Sequence, residues 1–486
     1  MEGPPTSEMA QQPDSDTSAS GECVPLRGSE RLATLVDDGS MKVIHAMALH
    51  SSSPSAISAF LQYVPQALVL TFNRHPRMRA LQVKGEVAMA EIQPQITLDS
   101  IPGREGQESE RWEQYAESEC SLPIDRYSQL PYFVRVWRCP DQNRFRLMLF
   151  SDHFMSDGIS GLVVLNDLLT FASELSQDAK NVEVPELPLR PSLYELWLVP
   201  NTWQLWAIFK SNIENFTPAI KPRSDQKDFA APVQINSSSA LFGVGTPENM
   251  HKALRRCKEE RVTFFGALAA AVMVAYYVSS DAKSNNPAEM PFKLAIGVDC
   301  NMRRRAPSPL EETAVGGYWA NAGLESLAKS GVDFASTRLW DLARQCKQEL
   351  EESLASLSLP LSTLFIDMTE LPGNMRVPNS VVMDVSISNL GKYPYTTKYA
   401  IATSMASDET EDLVVESVHV YSPSSHLASA AALTVTSTGR FSYSTMHKYE
   451  SQDAERLFAT LISCVERIGE ITSDETMAQV AQACPR

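Results

Sequence analysis

Several familiar signatures are missing from this chain. Its eight cysteines (Cys23, Cys120, Cys139, Cys257, Cys300, Cys346, Cys464 and Cys484) form no C-x-x-C pair. That scatter points neither to a disulfide framework nor to a zinc site, so a reducing, cytoplasmic compartment is expected. Long basic runs are absent and the net charge is −17. Phosphate binding needs a basic face, so no nucleic-acid partner is expected. There is no G-x-S-x-G elbow, no G-x-x-x-x-G-K-S/T loop and no H-E-x-x-H among the eight histidines, so neither those chemistries nor a metal site is expected. The most apolar stretch, after Thr263, is too short to cross a bilayer and reads as a core helix capped by that threonine. Residues 1–30 are rich in Pro, Ser, Gln and Asp without an apolar core. They read as a disordered tail, not as a signal peptide or membrane span.

What is present describes an ordinary globular chain, with 43% hydrophobic and 21% charged residues over 486 positions. That length exceeds one ordinary core, so two or three domains are expected. One short stretch stands out: Ser151-Asp152-His153-Phe154-Met155-Ser156-Asp157-Gly158. Two strand-length apolar runs precede it, Tyr132 to Trp137 and Phe145 to Phe150, separated by the turn residues Pro140 to Asn143. After it, Ile159, Leu162, Val163, Leu165, Leu168, Leu169, Ala172 and Leu175 recur at helical spacing. A histidine is thus lifted off a buried strand end, where a rigid imidazole suits general-base chemistry. The same residues also fit a plain strand-to-helix turn, with Asp157 as N-cap, Gly158 easing the turn and His153 a loop histidine.

Elsewhere, folded structure is expected from about Arg31. Pro54 to Val64 reads as helix, with Pro65 either kinking it or opening a second helix that Pro76 stops. Pro102 to Glu117 reads as a loop or exposed helix. Trp197 to Phe216 is rich in aromatics and fits domain packing or a weak membrane-surface contact. Lys221 to Lys227 reads as an interdomain linker. The second half is expected to hold strands over Gln234–Val244, Phe292–Val298 and Val381–Ser388, the last ended by Asn389-Leu390-Gly391. Helices are expected over Pro247–Arg261, Asp333–Leu357 and Asp453–Ile471, with a hairpin about Thr438-Gly439. Strands alternate with helices in both halves, so the class is α/β or α+β.

Several of these stretches together resemble the CoA-dependent acyltransferase superfamily, whose members include chloramphenicol acetyltransferase, condensation domains, the BAHD enzymes and alcohol acetyltransferases. His153-x-x-x-Asp157-Gly158 after a strand is similar to its active-site motif. Arg74-His75-Pro76-Arg77-Met78-Arg79 resembles the R-H-P-x-L-R ending of its first helix. Cys257 through Val262-Thr263 resembles its C-x-x-x-x-V-T segment, and Val298-Asp299 through Gly316-Gly317-Tyr318-Trp319-Ala320-Asn321 its V-D-x-R … G-x-x-x-N segment. Ser388-Asn389-Leu390-Gly391 sits where the second family motif falls. Departures are Asp152 where condensation domains carry a second histidine, Asn301 at the usual arginine position, and no D-F-G-W-G.

The resemblance implies two chloramphenicol-acetyltransferase-like subdomains with a central tunnel, at about 31–220 and 228–486. It implies direct acyl transfer from an acyl-CoA co-substrate to a small-molecule hydroxyl or amine, hydroxyl preferred, with His153 as base and no tightly bound cofactor. Asp157 would face an arginine, Arg303 by position with Arg304 as runner-up. Gly158 would let the backbone pass close to the tunnel. Asn389 or a neighbouring backbone N–H would donate to the oxyanion, unless Asn389 and Gly391 merely end a strand. A monomer is expected. The rival reading is a catalytically silent member that binds a ligand or partner in the same tunnel.

Overall fold

The computed structural model describes residues 22–34, 41–85, 89–100, 111–139, 143–177, 182–197, 238–280, 291–308, 310–355, 383–403, 409–423 and 429–484. The proposed linker and nearly all of the aromatic stretch after Trp197 lie outside them.

Fourteen strands are described: β1 Cys23–Pro25, β2 Lys42–His50, β3 Ala80–Val83, β4 Met89–Ile92, β5 Tyr132–Arg138, β6 Arg144–Asp152, β7 Ser239–Val244, β8 Ile296–Asn301, β9 Trp319–Gly323, β10 Met383–Lys392, β11 Lys398–Ala402, β12 Thr410–Tyr421, β13 Ser429–Ser437 and β14 Phe441–His447. They form a five-stranded sheet ordered β11-β12-β2-β6-β5, a six-stranded sheet ordered β7-β14-β13-β10-β8-β9, and a small sheet β1-β4-β3. With the helices this is a mixed, two-lobed α/β architecture, as expected. The sheets do not follow the expected cut between residues 220 and 228, because β11 and β12 come from the second half yet complete the first lobe's sheet.

In the first lobe, helices Pro54–Arg74 and Gly158–Gln177 pack together over the sheet. Both are apolar and long enough to cross a bilayer by composition, and both lie in this lobe's core. Pro65 neither breaks the first of them nor starts another. Phe60 and Val64 before it, and Ala67, Leu68 and Phe72 after it, stay on one buried face. Their burial outweighs the roughly 3 kcal/mol that an interior proline costs. In the second lobe the helix Phe264–Ser279 is buried almost all round, capped by the Thr263 hydroxyl on Gly266 N, and packs beneath helices Leu339–Ala355 and Ser451–Glu466.

Four expectations need correction. The tail does not run to residue 30: Val24 lies in β1 and Leu26 and Glu30 are buried against the first lobe. Trp112–Ser121 is a helix with Trp112, Tyr115 and Cys120 inward, packed on Phe133 and Phe150, not an exposed one. The long helix begins at Leu339, not at Asp333. Strand β10 runs on past Ser388, absorbing Asn389 to Gly391 as a bulge. The scatter of cysteines also hid one contact: the Cys464 and Cys484 sulfurs lie 2.8 Å apart, joining the last helix to its neighbour.

Candidate active site

His153 follows the last residue of β6, and its loop is fixed at every step. The backbone N–H of His153 donates to Met41 O at 2.8 Å. Tyr132 donates its hydroxyl to Met155 O at 2.7 Å, and Ser151 Oγ donates to Ser156 Oγ at 2.8 Å. Asp152, buried just before the histidine, accepts from Arg126 Nε at 2.8 Å. Burial pushes the Asp152 carboxyl up, against the pull of Arg126. The carboxylate of Asp152 therefore ties the loop to Arg126.

The imidazole itself is half-buried. Its Nδ1 lies 2.8 Å from Ser156 O. A carbonyl can only accept, so Nδ1 carries a proton, and in the neutral imidazole the lone pair is on Nε2. No described residue bonds Nε2. The ring packs against Trp319 with centroids 5.2 Å apart. The Trp319 indole N–H is buried without a hydrogen-bond partner in the described structure, an orphan donor beside the free base.

Asp157 serves as both helix cap and ion-pair partner. Its Oδ1 accepts from Ser160 N at 2.7 Å and Ile159 N at 3.1 Å, which caps the helix beginning at Gly158. Arg303 donates to the same carboxylate from Nη1 at 2.9 Å and Nη2 at 3.0 Å, and Tyr318 N adds a bond of 2.9 Å. Burial alone would raise this acid, but Arg303 and these donors hold it below the usual carboxylate range. Arg303 is fully buried and also bonds Ala314 O, Asn301 Oδ1 and Ser160 Oγ. Arg304 is exposed and pairs with Glu312, so it is not the partner.

The remaining sequence candidates fall nearby. Gly158 opens the helix, its carbonyl accepting from His45 Nε2 at 2.8 Å, and a Cβ on it would stand 2.9 Å from the Leu390 side chain. The segment Asn389–Gly391 therefore does border the loop. Asn389 Oδ1 accepts from Gly391 N at 3.2 Å, and Gly391 takes φ +72°, so this amide oxygen closes a local turn. Sequence reasoning gave no role to Trp319, Asp299 or Glu30. Only the period-two alternation on β9 and β8 could have marked the first two. Glu30 pairs with Arg77, inside the R-H-P motif, beneath Gly317 and the His153 carbonyl. Among the described residues there is no cluster of three or more His, Cys, Asp or Glu that could hold a metal.

A profile of the family described as alcohol acetyltransferase matches residues 118–371. No curated protein matches the chain. Solved structures share the fold at low identity. The trichothecene 15-O-acetyltransferase of Fusarium sporotrichioides is 11% identical, with 92% of this chain and 95% of that one covered at a TM-score of 0.67. The condensation domain of the monacolin K polyketide synthase is 11% identical, covering 95% and 100%, at 0.63. Polyketide synthase associated protein 5 of Mycobacterium tuberculosis is 14% identical, covering 91% and 99%, at 0.59.

Proposed function

Because the chain belongs to the alcohol acetyltransferase family, we propose that it moves an acyl group, acetyl in the first instance, from an acyl-CoA thioester to an alcohol. The observation that carries this reading is the orientation of His153. Its Nδ1 proton is committed to Ser156 O, which leaves Nε2 free to act as a base. In the proposed step the acceptor oxygen attacks the thioester carbonyl carbon while His153 Nε2 takes the hydroxyl proton. The tetrahedral oxyanion then collapses, the C–S bond breaks, and the CoA thiolate takes the proton from the imidazolium. The product is an ester, and no acyl-enzyme forms.

Asp157 does not touch the imidazole in this scheme. Its bonds go to the helix start and to Arg303, so it is a positioning residue for the His153 loop. The Trp319 N–H is our choice for the oxyanion donor, since it is buried, unpaired and packed on His153. Asn389 Nδ2 is the alternative donor. The test is release of free thiol from acetyl-CoA over a panel of small alcohols and amines. Alcohol-dependent release with ester formed in equal amount is expected. No release with any acceptor, from a folded protein, would overturn the reading in favour of a silent binding protein.

A further inference from the structure

One face of the six-stranded sheet carries an unbroken polar row. In register across five neighbouring strands it runs Asn321 on β9, Asp299 on β8, Ser388 on β10, Thr434 on β13 and Ser444 on β14. Residues in register share a face, and this face looks toward the first lobe. Ala432 and Met446, two positions from Thr434 and Ser444, pack with Ile44, Ala46 and Phe150 of the other sheet. The neighbouring positions Val298, Ile387, Leu433 and Val435 fill the second lobe's core instead. Trp319, which packs on His153, lies two residues from Asn321 on the same face of β9, roughly 7 Å along the strand. The row therefore begins beside the catalytic imidazole. Its far end closes where Ser444 Oγ meets His419 Nδ1 at 3.3 Å.

The row has hydrogen-bonding capacity left over. Asp299 Oδ1 accepts from Asn321 Nδ2 at 2.9 Å and Oδ2 from Ser386 Oγ at 3.0 Å. A carboxylate can accept about four bonds, and no Lys or Arg among the described residues is paired with this one. Asn321, Ser388 and Thr434 are each only half-buried, and the hydroxyls of Ser388 and Thr434 bond no other described residue. These groups keep some exposure between the lobes, so a ligand lying on the row can take up their free hydrogen-bonding positions in place of solvent.

We infer that this row recognises a second polar group on the acceptor: the substrate is a small polyol or amino alcohol. One hydroxyl reaches His153 while another hydrogen-bond donor, hydroxyl or ammonium, docks on Asp299. This assignment rests on the acyl-transfer reading above.

The full-length protein is assayed with acetyl-CoA and three acceptors of equal chain length: 1-butanol, 1,4-butanediol and 4-amino-1-butanol. A preference in kcat/KM of about tenfold or more over 1-butanol is expected for at least one of the bifunctional acceptors. Asp299→Asn should abolish a preference for the amino alcohol, since an amide carries no charge, but only reduce one for the diol. Thr434→Val, which keeps the side-chain shape, should lower the diol preference by a smaller factor. Equal kcat/KM for all three acceptors overturns the inference. So does an effect of Asp299→Asn confined to the KM for acetyl-CoA, which would place the pantetheine arm on the row. Binding separates the two levels of the argument. The rise in Tm of His153→Ala protein with the diol or the amino alcohol, against 1-butanol, reads the row without turnover. A rise specific to either bifunctional acceptor that is lowered in His153→Ala/Asp299→Asn supports the row even if no thiol release is ever seen, and its absence for both overturns it.

Discussion

Arg303 holds Asp157 through both guanidinium nitrogens across 146 positions of sequence, joining the two lobes at the loop that carries His153. Both side chains are buried. Asp157→Asn keeps the helix cap, since asparagine caps about as well, but strands a buried cation. It should lose about 3–5 kcal/mol of stability and most thiol-releasing activity, and Arg303→Ala should reproduce much of this. The double mutant should cost less than the sum, because the second change removes a charge that the first stranded. Urea unfolding of the three proteins checks it; strict additivity would show the pair to be uncoupled.

At the reacting centre two substitutions should separate. His153→Ala should lower kcat by about two to four orders of magnitude with little change in acetyl-CoA binding. Trp319→Phe keeps the ring against the imidazole and deletes only the N–H. A loss in kcat of about 10²–10³ with Tm unchanged is expected. Unaltered kcat in this second variant would pass the oxyanion role to Asn389.

Glu30 gives a pH signature. Burial raises its carboxyl to about 7, with Arg77 pulling the other way. Between the unfolded value near 4.5 and about 7 the folded state holds the proton more tightly than the unfolded state does. Stability from this group therefore falls as pH rises through that window, by about 3 kcal/mol in total. Glu30→Gln cannot titrate. The stability of the wild type relative to this variant should decline from pH 4.5 to pH 7 and then level off. A difference that stays flat, measured by denaturant unfolding at several pH values, would mean that Glu30 stays ionised throughout.

Gly161 has no room for a methyl group. A Cβ there would stand 2.1 Å from His45 Cε1, and His45 is itself fixed by its bond to Gly158 O. Gly161→Ala should therefore displace the start of helix Gly158–Gln177 and cost at least about 1–3 kcal/mol. Adding His45→Ala should restore part of the loss, which the thermal midpoints of both proteins would show. No rescue would mean that the imidazole bond matters more than the collision.

The sequence disclosed whatever was local. The Thr263 cap, the apolar helix after it and the β13–β14 hairpin are written in adjacent residues, and all formed. The partner of Asp157 was legible only because the resemblance placed Arg303 near it. Contacts that depend on distant chain segments stayed hidden. Glu30 sits in a stretch whose composition reads as disorder, yet its one carboxylate is held by Arg77 beside Gly317, near the loop that carries His153. Pro65 reads as a break because its penalty is local, while the compensating burial is tertiary. The polar row could not be seen from five separate segments, since register across a sheet is set by pairing and not by spacing along one strand.

The transfer of β11 and β12 to the first lobe has a consequence for how the chain is made. On the ribosome, β2 emerges long before its neighbour β12, whose last residue is Tyr421. Until then one edge of the nascent first sheet, the nine residues Lys42–His50, is open to pair with another chain. The sheet of the first lobe is therefore incomplete until β12 has emerged, which works against vectorial folding of the amino-terminal lobe. A chaperone that shields the β2 edge would raise the yield of folded protein, whereas splitting the chain between its sequence halves would yield an aggregating amino-terminal piece rather than a working lobe.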